Sequence, residues 1–288
     1  MPMGIKTTPA WFQRFIVKTF KDSIDRNVLE IYLDNFILHT IELNHHVEEA
    51  GKLFDQIEKC NKKCAMNKSE MLIIEVTFLG NTITKNKIYP NKKRADCLTK
   101  RPKPVTLKEL QAWLGASNYL RRYIKEYAEI TKSLYDAMDL KNVPKALRKR
   151  NGALNGNKVY IEWTVEAANG FEKLKEILGS ELVLELPDFD REMVITTDAS
   201  DNGYGAVLEQ NFRTDNETED KFKPVEYYSK SYTPAQKNYS TTEKELLAVV
   251  MAVEKIHHLH RPLAKYSCIE QNETTSKSRT MNDEVIII

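Results

Sequence analysis

At 288 residues, 41% hydrophobic and 29% charged, the chain has enough apolar material for two or three globular domains. No run approaches the roughly 18 apolar residues of a membrane span, and the opening MPMGIKTTPAWFQ lacks the charged-then-apolar layout of a signal peptide, so the expectation is an intracellular protein, cytoplasmic or nuclear, with no membrane partner. The net charge of +2 hides an asymmetry: residues 91–150 hold 16 Lys and Arg against 6 Asp and Glu. That segment suits nucleic-acid phosphates or is simply a solvated basic face, and charge alone does not choose between them. Cys60, Cys64, Cys97 and Cys268 include one Cys-x3-Cys pair with no second pair or nearby His to complete a zinc set, which points to reduced thiols.

The elements follow in chain order. TPAWFQRFIVKTF reads as a helix. IYLDNFILHT, residues 31–40, is a hydrophobic strand interrupted by Asp34 and Asn35, where a carboxylate is costly unless a charge faces it. Val47, Ala50, Phe54 and Ile57 recur at helical spacing and predict an amphipathic helix with that stripe inward. MLIIEVTFLG is β-rich and turns at Gly80 into a second arm, NTITKNKIYP. RPKPVT reads as a linker. Thr106 and Glu109 form a capping box for a helix whose apolar side is Leu107, Leu110, Trp113, Leu114, Leu120 and Ile124. DLKNVPKALRKRNGALNGNK reads as a basic loop and GFEKLKEIL as a helix. EMVITTDAS, GYGAVLEQ and PVEYYSKSY predict three successive strands. A long helix follows, with Leu246, Val249, Val250, Val253 and Ile256 on its buried side.

Asp198 closes the first of those three strands. A strand-end Asp is commonly a turn residue. Glu245, however, lies beside the apolar stripe of the long helix, while Glu243 lies on another face. A glutamate at the edge of a packed face near a strand-end aspartate suits a hard divalent cation such as magnesium. His257, His258 and His260 cluster near the helix end, where cations are favoured in any case.

Taken together, these pieces resemble the Pol polyprotein of gypsy-type long-terminal-repeat retrotransposons, from about residue 3 to 262. GIKTTPAWFQRF resembles the element that holds template and incoming nucleotide, IYLDN the catalytic hairpin, and VTFLGNTIT the primer-grip hairpin. TLKELQAWLGASNYLRRYIKEYAEITKSLYDAM is similar to the thumb, and IEWTVEAANGFEKLKEIL to the connection. VITTDAS, GYGAVLEQ and VEYYSKSYTPAQKNYSTTEKELLAVV match the start of ribonuclease H. The resemblance implies an α+β multidomain chain: a palm remnant at 1–100, a thumb-like region at 101–140, a connection at 141–187, an incomplete ribonuclease H-like α/β domain at 188–262, and a divergent tail at 263–288.

It also implies metal-dependent phosphodiester chemistry, with Mg2+ or Mn2+ as cofactor. The partners would be RNA–DNA hybrid, primer–template and dNTP, with protease and integrase elsewhere in the parent element. Asp34, Asn35, Asp198 and Glu245 take the catalytic positions, and Asp34, Asp198 and Glu245 the metal-binding ones. Gln13, Arg14, Tyr32, Lys92, Lys93, Arg121 and Arg122 are the candidates for nucleic acid or nucleotide. Both sites depart from the family pattern. Asn35 stands where the hairpin has a second aspartate, and the family's third polymerase aspartate lies upstream of this chain. A charge lost about 4 Å from a cation at an effective dielectric of about 20 forfeits roughly 4 kcal/mol, on the order of 10³ in rate. Some viral polymerases carry Asp-Asn here, so Asn35 alone does not exclude activity. Two of the nuclease's four acidic positions have no counterpart in the divergent tail. The expectation is a catalytically defective member. The alternatives are a non-catalytic nucleic-acid-binding relic, or a piece of a longer functional polyprotein.

Overall fold

In a computed structural model of the chain, residues 7–138, 159–188, 191–213, 220–267 and 286–287 are described, with side chains through Ile256. The basic loop expected at 139–158, most of the tail, Cys268 and the side chains of His257, His258 and His260 lie outside them. Two compact units result, one of residues 1–86 with 259–288 and one of residues 87–258.

In the first unit, α1 (Thr8–Thr19) opens with a proline in its first turn, where a missing N–H costs nothing. A short helix α2 (Lys21–Asp25) leads into the hairpin of β1 (Leu29–Tyr32) and β2 (Asn35–Thr40). The strand Ile286–Ile287 pairs antiparallel with the other edge of β2. Helix α3 (Leu43–Lys59) packs on this sheet, and Ile16, Phe20, Leu29, Leu38, Leu53 and Ile57 form the core. A second hairpin joins β3 (Val76–Phe78) to β4 (Asn81–Ile83). Leu79 and Gly80 both take positive φ at its turn, as a two-residue hairpin loop of the right twist requires. The β-rich run expected before it is mostly irregular, with Met71, Leu72 and Ile74 exposed.

The stripe of α3 differs from the sequence expectation by a rotation of about one residue. Val47 is exposed, whereas His46 and Glu49 are buried with Leu53 and Ile57. Polar partners make this possible. His46 Nδ1 is 2.9 Å from Thr40 Oγ1 of β2, and the Glu49 carboxylate accepts from Arg26 and, at 2.8 Å, from Lys52. Burial raises the Glu49 pKa, but hydrogen bonds and charge from Arg26 and Lys52 outweigh it and hold the group below the ordinary glutamate range.

Burial, and then neighbouring histidines, lower the pKa of both His39 and His46. Depressed folded values mean that the unfolded chain takes up protons first. Their stabilisation is complete above the ordinary histidine pKa of about 6.5 and is lost as pH falls through the folded values. Amide exchange in α3 should therefore accelerate between pH 7.5 and 5 beyond the intrinsic exchange trend, and His46→Gln should flatten that dependence. Protection that rises on acidification would contradict the assignment.

The second unit begins with β5 (Lys87–Pro90) and α4 (Lys92–Thr99), whose first turn is capped by the Asn91 side chain. Next come α5 (Leu107–Asn118), a 3-10 turn at Arg121–Tyr123, α6 (Tyr127–Asp136) and α7 (Val165–Gly179). The capping box of α5 is formed as expected: Thr106 Oγ1 accepts from Glu109 N at 3.3 Å, and Glu109 Oε2 accepts from Thr106 N at 3.2 Å. All six apolar residues assigned to its inner side are buried. The segment read as a linker is pinned instead. Thr106 bridges to Tyr160, and Trp163 Nε1 donates to Pro104 O at 3.0 Å. Gly170 lets α6 and α7 approach closely, since a Cβ there would lie 2.8 Å from Ile130 O and from Ser133 Oγ.

Strand β6 (Leu184–Glu185) pairs with β5. The three expected strands, β7 (Met193–Ala199), β8 (Gly203–Asn211) and β9 (Phe222–Ser231), form an antiparallel sheet in that order. Helix α8 (Thr241–Ser267) lies against it, but with the opposite face to the one expected. Lys244, Ala248 and Ala252 are buried, while Leu246, Val249, Val250 and Val253 are 45–63% exposed. Small residues win this contact because they bring the helix backbone close to the Tyr204 and Tyr232 rings.

Candidate functional site

The residues proposed for polymerase chemistry gather at the β1–β2 hairpin of the first unit. Tyr32 pairs with Asn35, leaving Leu33 and Asp34 as the turn. Leu33 adopts φ 55°, a left-handed conformation that costs a non-glycine residue about 1–2 kcal/mol. Gln13 of α1 holds it there: its Oε1 accepts from Leu33 N at 2.6 Å and its Nε2 donates to Ile31 O at 3.1 Å. The sequence offered Gln13 as a contact to template or nucleotide. Its amide is hydrogen-bonded to the hairpin backbone on either side of Tyr32, 18 and 20 residues away. Asp34, Asn35 and Tyr32 are exposed at the tip. Arg14 is also exposed, with its guanidinium 5.7 Å from the Trp11 ring. Gln13→Ala should remove both bonds and, at about 1 kcal/mol each, increase the mobility of the turn. Faster amide exchange at Leu33, with α1 protection unchanged, is the expected readout.

The nuclease residues lie in the second unit. Asp198 pairs laterally with Gly205, and Gly205 with Ser229, so these three share one face of the sheet. The next residue, Ala199, points to the other face and packs with Tyr204, Tyr228 and Ala248. On its own face Asp198 lines a cavity of about 300 Å³, shared with Lys125, Glu126 and Glu129 at the start of α6 and with Gly205 and Ser229. Glu245 is exposed on α8, between the buried alanines and the exposed stripe. Glu243 caps its own helix, accepting from Ser240 N at 2.8 Å.

Sequence reasoning overlooked three neighbours. Lys244 Nζ donates to Asp201 at 2.9 Å, and Tyr232 lies beneath them. Burial, then Glu245, Asp198 and Asp201, push the pKa of the Tyr232 phenol up. A tyrosine at a strand end carries no spacing signal that would have drawn attention to it.

The basic candidates divide into two kinds. Lys92 and Lys93 are exposed in the first turn of α4. Arg121 and Arg122 are half-buried. Arg121 donates to Ser229 O and, at 3.2 Å, to Asn118 Oδ1, and Arg122 Nε is enclosed beside the Tyr123 ring.

A palm-type hairpin bearing an exposed aspartate, a helical region, and an antiparallel sheet with Asp198 at a strand end define the reverse transcriptase–ribonuclease H class. Residues 163–262 match the family described as an RNase H-like domain found in reverse transcriptase. Over 258 residues, 90% of its length, the chain is 33% identical to the retrovirus-related Pol polyprotein from transposon 297 of Drosophila melanogaster. It is 31% identical over 258 residues to the transposon Tf2-3 polyprotein of Schizosaccharomyces pombe. It covers only 22% and 18% of these relatives, about a fifth of their length. Among solved structures, it superposes on the foamy viral protease–reverse transcriptase in complex with dsDNA with a TM-score of 0.69. The identity there is 25%, over 90% of this chain and 49% of that one. Over 90% of its length the chain is similar to the Pol polyproteins of gypsy-type retrotransposons, and its residues 163–262 match the RNase H-like domain of reverse transcriptases.

Families of this kind use divalent metals. The carboxylates of Asp198 and Glu245 are oxygen donors of the kind a hard cation takes. Among the described residues no group of three or more His, Cys, Asp or Glu is assembled for one. No described helix is long and apolar enough to cross a membrane.

Proposed function

We propose that this chain binds RNA–DNA hybrid and primer–template duplex and carries a weakened ribonuclease H-type site at Asp198 and Glu245, without template-directed synthesis of its own. The observation that carries this reading is the place of Asp198 near the end of β7, lining a cavity within the residues 163–262 that match the RNase H-like family. Asp198 and Glu245 would hold magnesium or manganese, which lowers the pKa of a bound water and screens the phosphate. Around it, the β7–β8 pairing would fix Asp198, and the first turns of α8, tied to Asp201 through Lys244, would present Glu245. At the hairpin, Asp34 would serve as the metal ligand, with Asn35 offering a neutral oxygen beside it. Tyr32 and Arg14 would meet dNTP or template.

The domain boundaries proposed from the resemblance stand with this reading: palm remnant to 100, thumb to 140, connection to 187 and ribonuclease H-like domain to 262. So do protease and integrase partners in the parent polyprotein. A non-catalytic, duplex-binding role is the second reading, favoured by one observation: Lys244 places the protein's own cation against Asp201 beside the carboxylate pair.

End-labelled RNA in a hybrid, incubated with Mg2+ or Mn2+, tests both. Slow cleavage, strongest in Mn2+ and abolished by Asp198→Asn and by Glu245→Gln, is expected. Cleavage indifferent to both substitutions overturns the site. Hybrid binding with no cleavage in either metal supports the second reading. Primer extension abolished by Asp34→Ala would overturn the absence of synthesis.

A further inference from the structure

The outer side of α1 carries an aromatic and basic stripe. Ile16 and Phe20 belong to the core, so helical spacing puts residues 11, 14, 15 and 18 on the opposite side. Those positions hold Trp11, Arg14, Phe15 and Lys18. All four are exposed, Trp11 by 57% and Phe15 by 47%. A large aromatic ring left in water forfeits the stabilisation of burial, and two on one stripe point to a surface that something covers.

A cation stands beside each ring. The Arg14 guanidinium lies 5.7 Å from the Trp11 centroid, and the Lys62 ammonium lies 5.7 Å from that of Phe15. Lys62 reaches α1 because the end of α3 is tied to it and the chain then turns. Gln56 Nε2 donates to Thr19 O at 3.2 Å, and Asn61 takes φ 51°. Residues 8–20 carry Arg14 and Lys18, residues 59–68 carry Lys59, Lys62, Lys63 and Lys68, and neither segment has an Asp or Glu. Charge on this face therefore complements a polyanion. A nucleic-acid strand matches both halves of the pattern, phosphate to cation and base to ring. Trp11 and Phe15 are one turn apart, about 6 Å along the helix axis. Bases in a duplex follow one another at about 3.4 Å, with their faces already covered. Only an unpaired strand can lay separate bases on these two rings.

We infer that the outer face of α1, with the turn at Lys62 and Lys63, binds unpaired nucleic acid. Trp11 and Phe15 stack on bases, while Arg14, Lys18, Lys62 and Lys63 meet the phosphates. This goes beyond the duplex binding proposed above, with which it shares Arg14 alone.

Oligo-dT of about 12 nucleotides, within the ordinary site size for such surfaces, titrated into the full chain tests this. Binding should quench tryptophan fluorescence, and Trp11→Phe should keep the affinity and lose the quench. Trp11→Ala and Phe15→Ala should each weaken binding about 5- to 150-fold, the range for one base–aromatic stack. Their thermal midpoints should hold, because the core residues of α1 are kept. Lys62→Glu with Lys63→Glu should lower the slope of log affinity against log salt by about 1.4, at about 0.7 per contact on a single strand. An abasic strand of equal length, which has the phosphates without the bases, should bind no better than oligo-dT binds the alanine variants. Hybrid binding should be the same in the parent and in both alanine variants. Equal affinity for abasic strand and oligo-dT, or affinity indifferent to both alanine changes, overturns the stacking site and leaves hybrid binding standing. An equal loss of hybrid and oligo-dT binding overturns the preference for unpaired strand. Absence of oligo-dT binding also overturns the inference, and self-association abolished by Trp11→Ala would then mark the face as a protein interface.

Discussion

Trp113→Ala is expected to cost the unit of residues 87–258 about 3–5 kcal/mol, the range for deleting a large buried aromatic side chain. Three helices meet on this one ring. It lies 1% exposed on the inner side of α5, between Leu110 and Leu114. It packs on Phe171 of α7 with centroids 4.6 Å apart. Its Nε1 donates at 3.3 Å to Leu98 O in α4. Alanine would remove the packing and the hydrogen bond together and leave a cavity that helix backbones cannot close. Against a typical total stability of about 5–15 kcal/mol, the variant would be marginal. Urea denaturation gives the number directly. Trp113→Phe, which keeps the stacking and loses the N–H, should fall well short of the alanine cost. An alanine penalty under about 1 kcal/mol would show that the ring is not the centre of this core. Because α4 is held through Leu98, the alanine variant should also loosen the helix that presents Lys92 and Lys93.

Hybrid binding should weaken steeply with salt, and Lys92→Glu with Lys93→Glu should flatten that dependence. Each phosphate contact contributes about 0.9 to the slope of log affinity against log salt, so losing two lowers it by nearly 2. The first turn of α4 carries Lys92, Lys93 and Arg94 with no acidic residue. These cations repel one another and the positive end of the helix dipole, which keeps the local potential high. Arg94 is partly occupied, 4.5 Å from the Tyr119 ring. The same reversal at Arg121 or Arg122 should behave differently. Arg121 ties the 3-10 turn to β9 through Ser229 O, so Arg121→Glu should lower the unfolding midpoint before it alters any salt slope. Fluorescence anisotropy of labelled hybrid between about 50 and 200 mM salt, the range over which such contacts dominate, separates the two. Equal slopes for the parent and the Lys92/Lys93 variant would mark α4 as a solvated face.

Much of the fold follows from short-range pattern. The capping box at Thr106 and Glu109 was legible because all its atoms lie within four residues. The inner face of α5 was legible because each large apolar residue on it had no polar competitor. The three strands after residue 190 were legible from β-branched and aromatic runs bounded by turn residues, and Asp198 from its place at the end of one of them.

Tertiary structure decided the rest, wherever two faces or two partners competed. Helix α8 has a bulky stripe at Leu246, Val249, Val250 and Val253 and a small one at Ala248 and Ala252, and hydropathy favours the first. The Tyr204 and Tyr232 rings select the second, because close approach needs small side chains. In α3 the polar residues His46 and Glu49 moved inward because Thr40 and Arg26 supply partners that no helical window contains. Gln13 and Arg121 read as free polar groups until the folded chain brings them the Leu33 N–H and the Ser229 carbonyl, 20 and 108 residues distant. Residue type and spacing set which elements form. What each polar side chain does depends on which unpaired backbone or side-chain group the fold places within about 3 Å of it, and that distance is not written in local sequence.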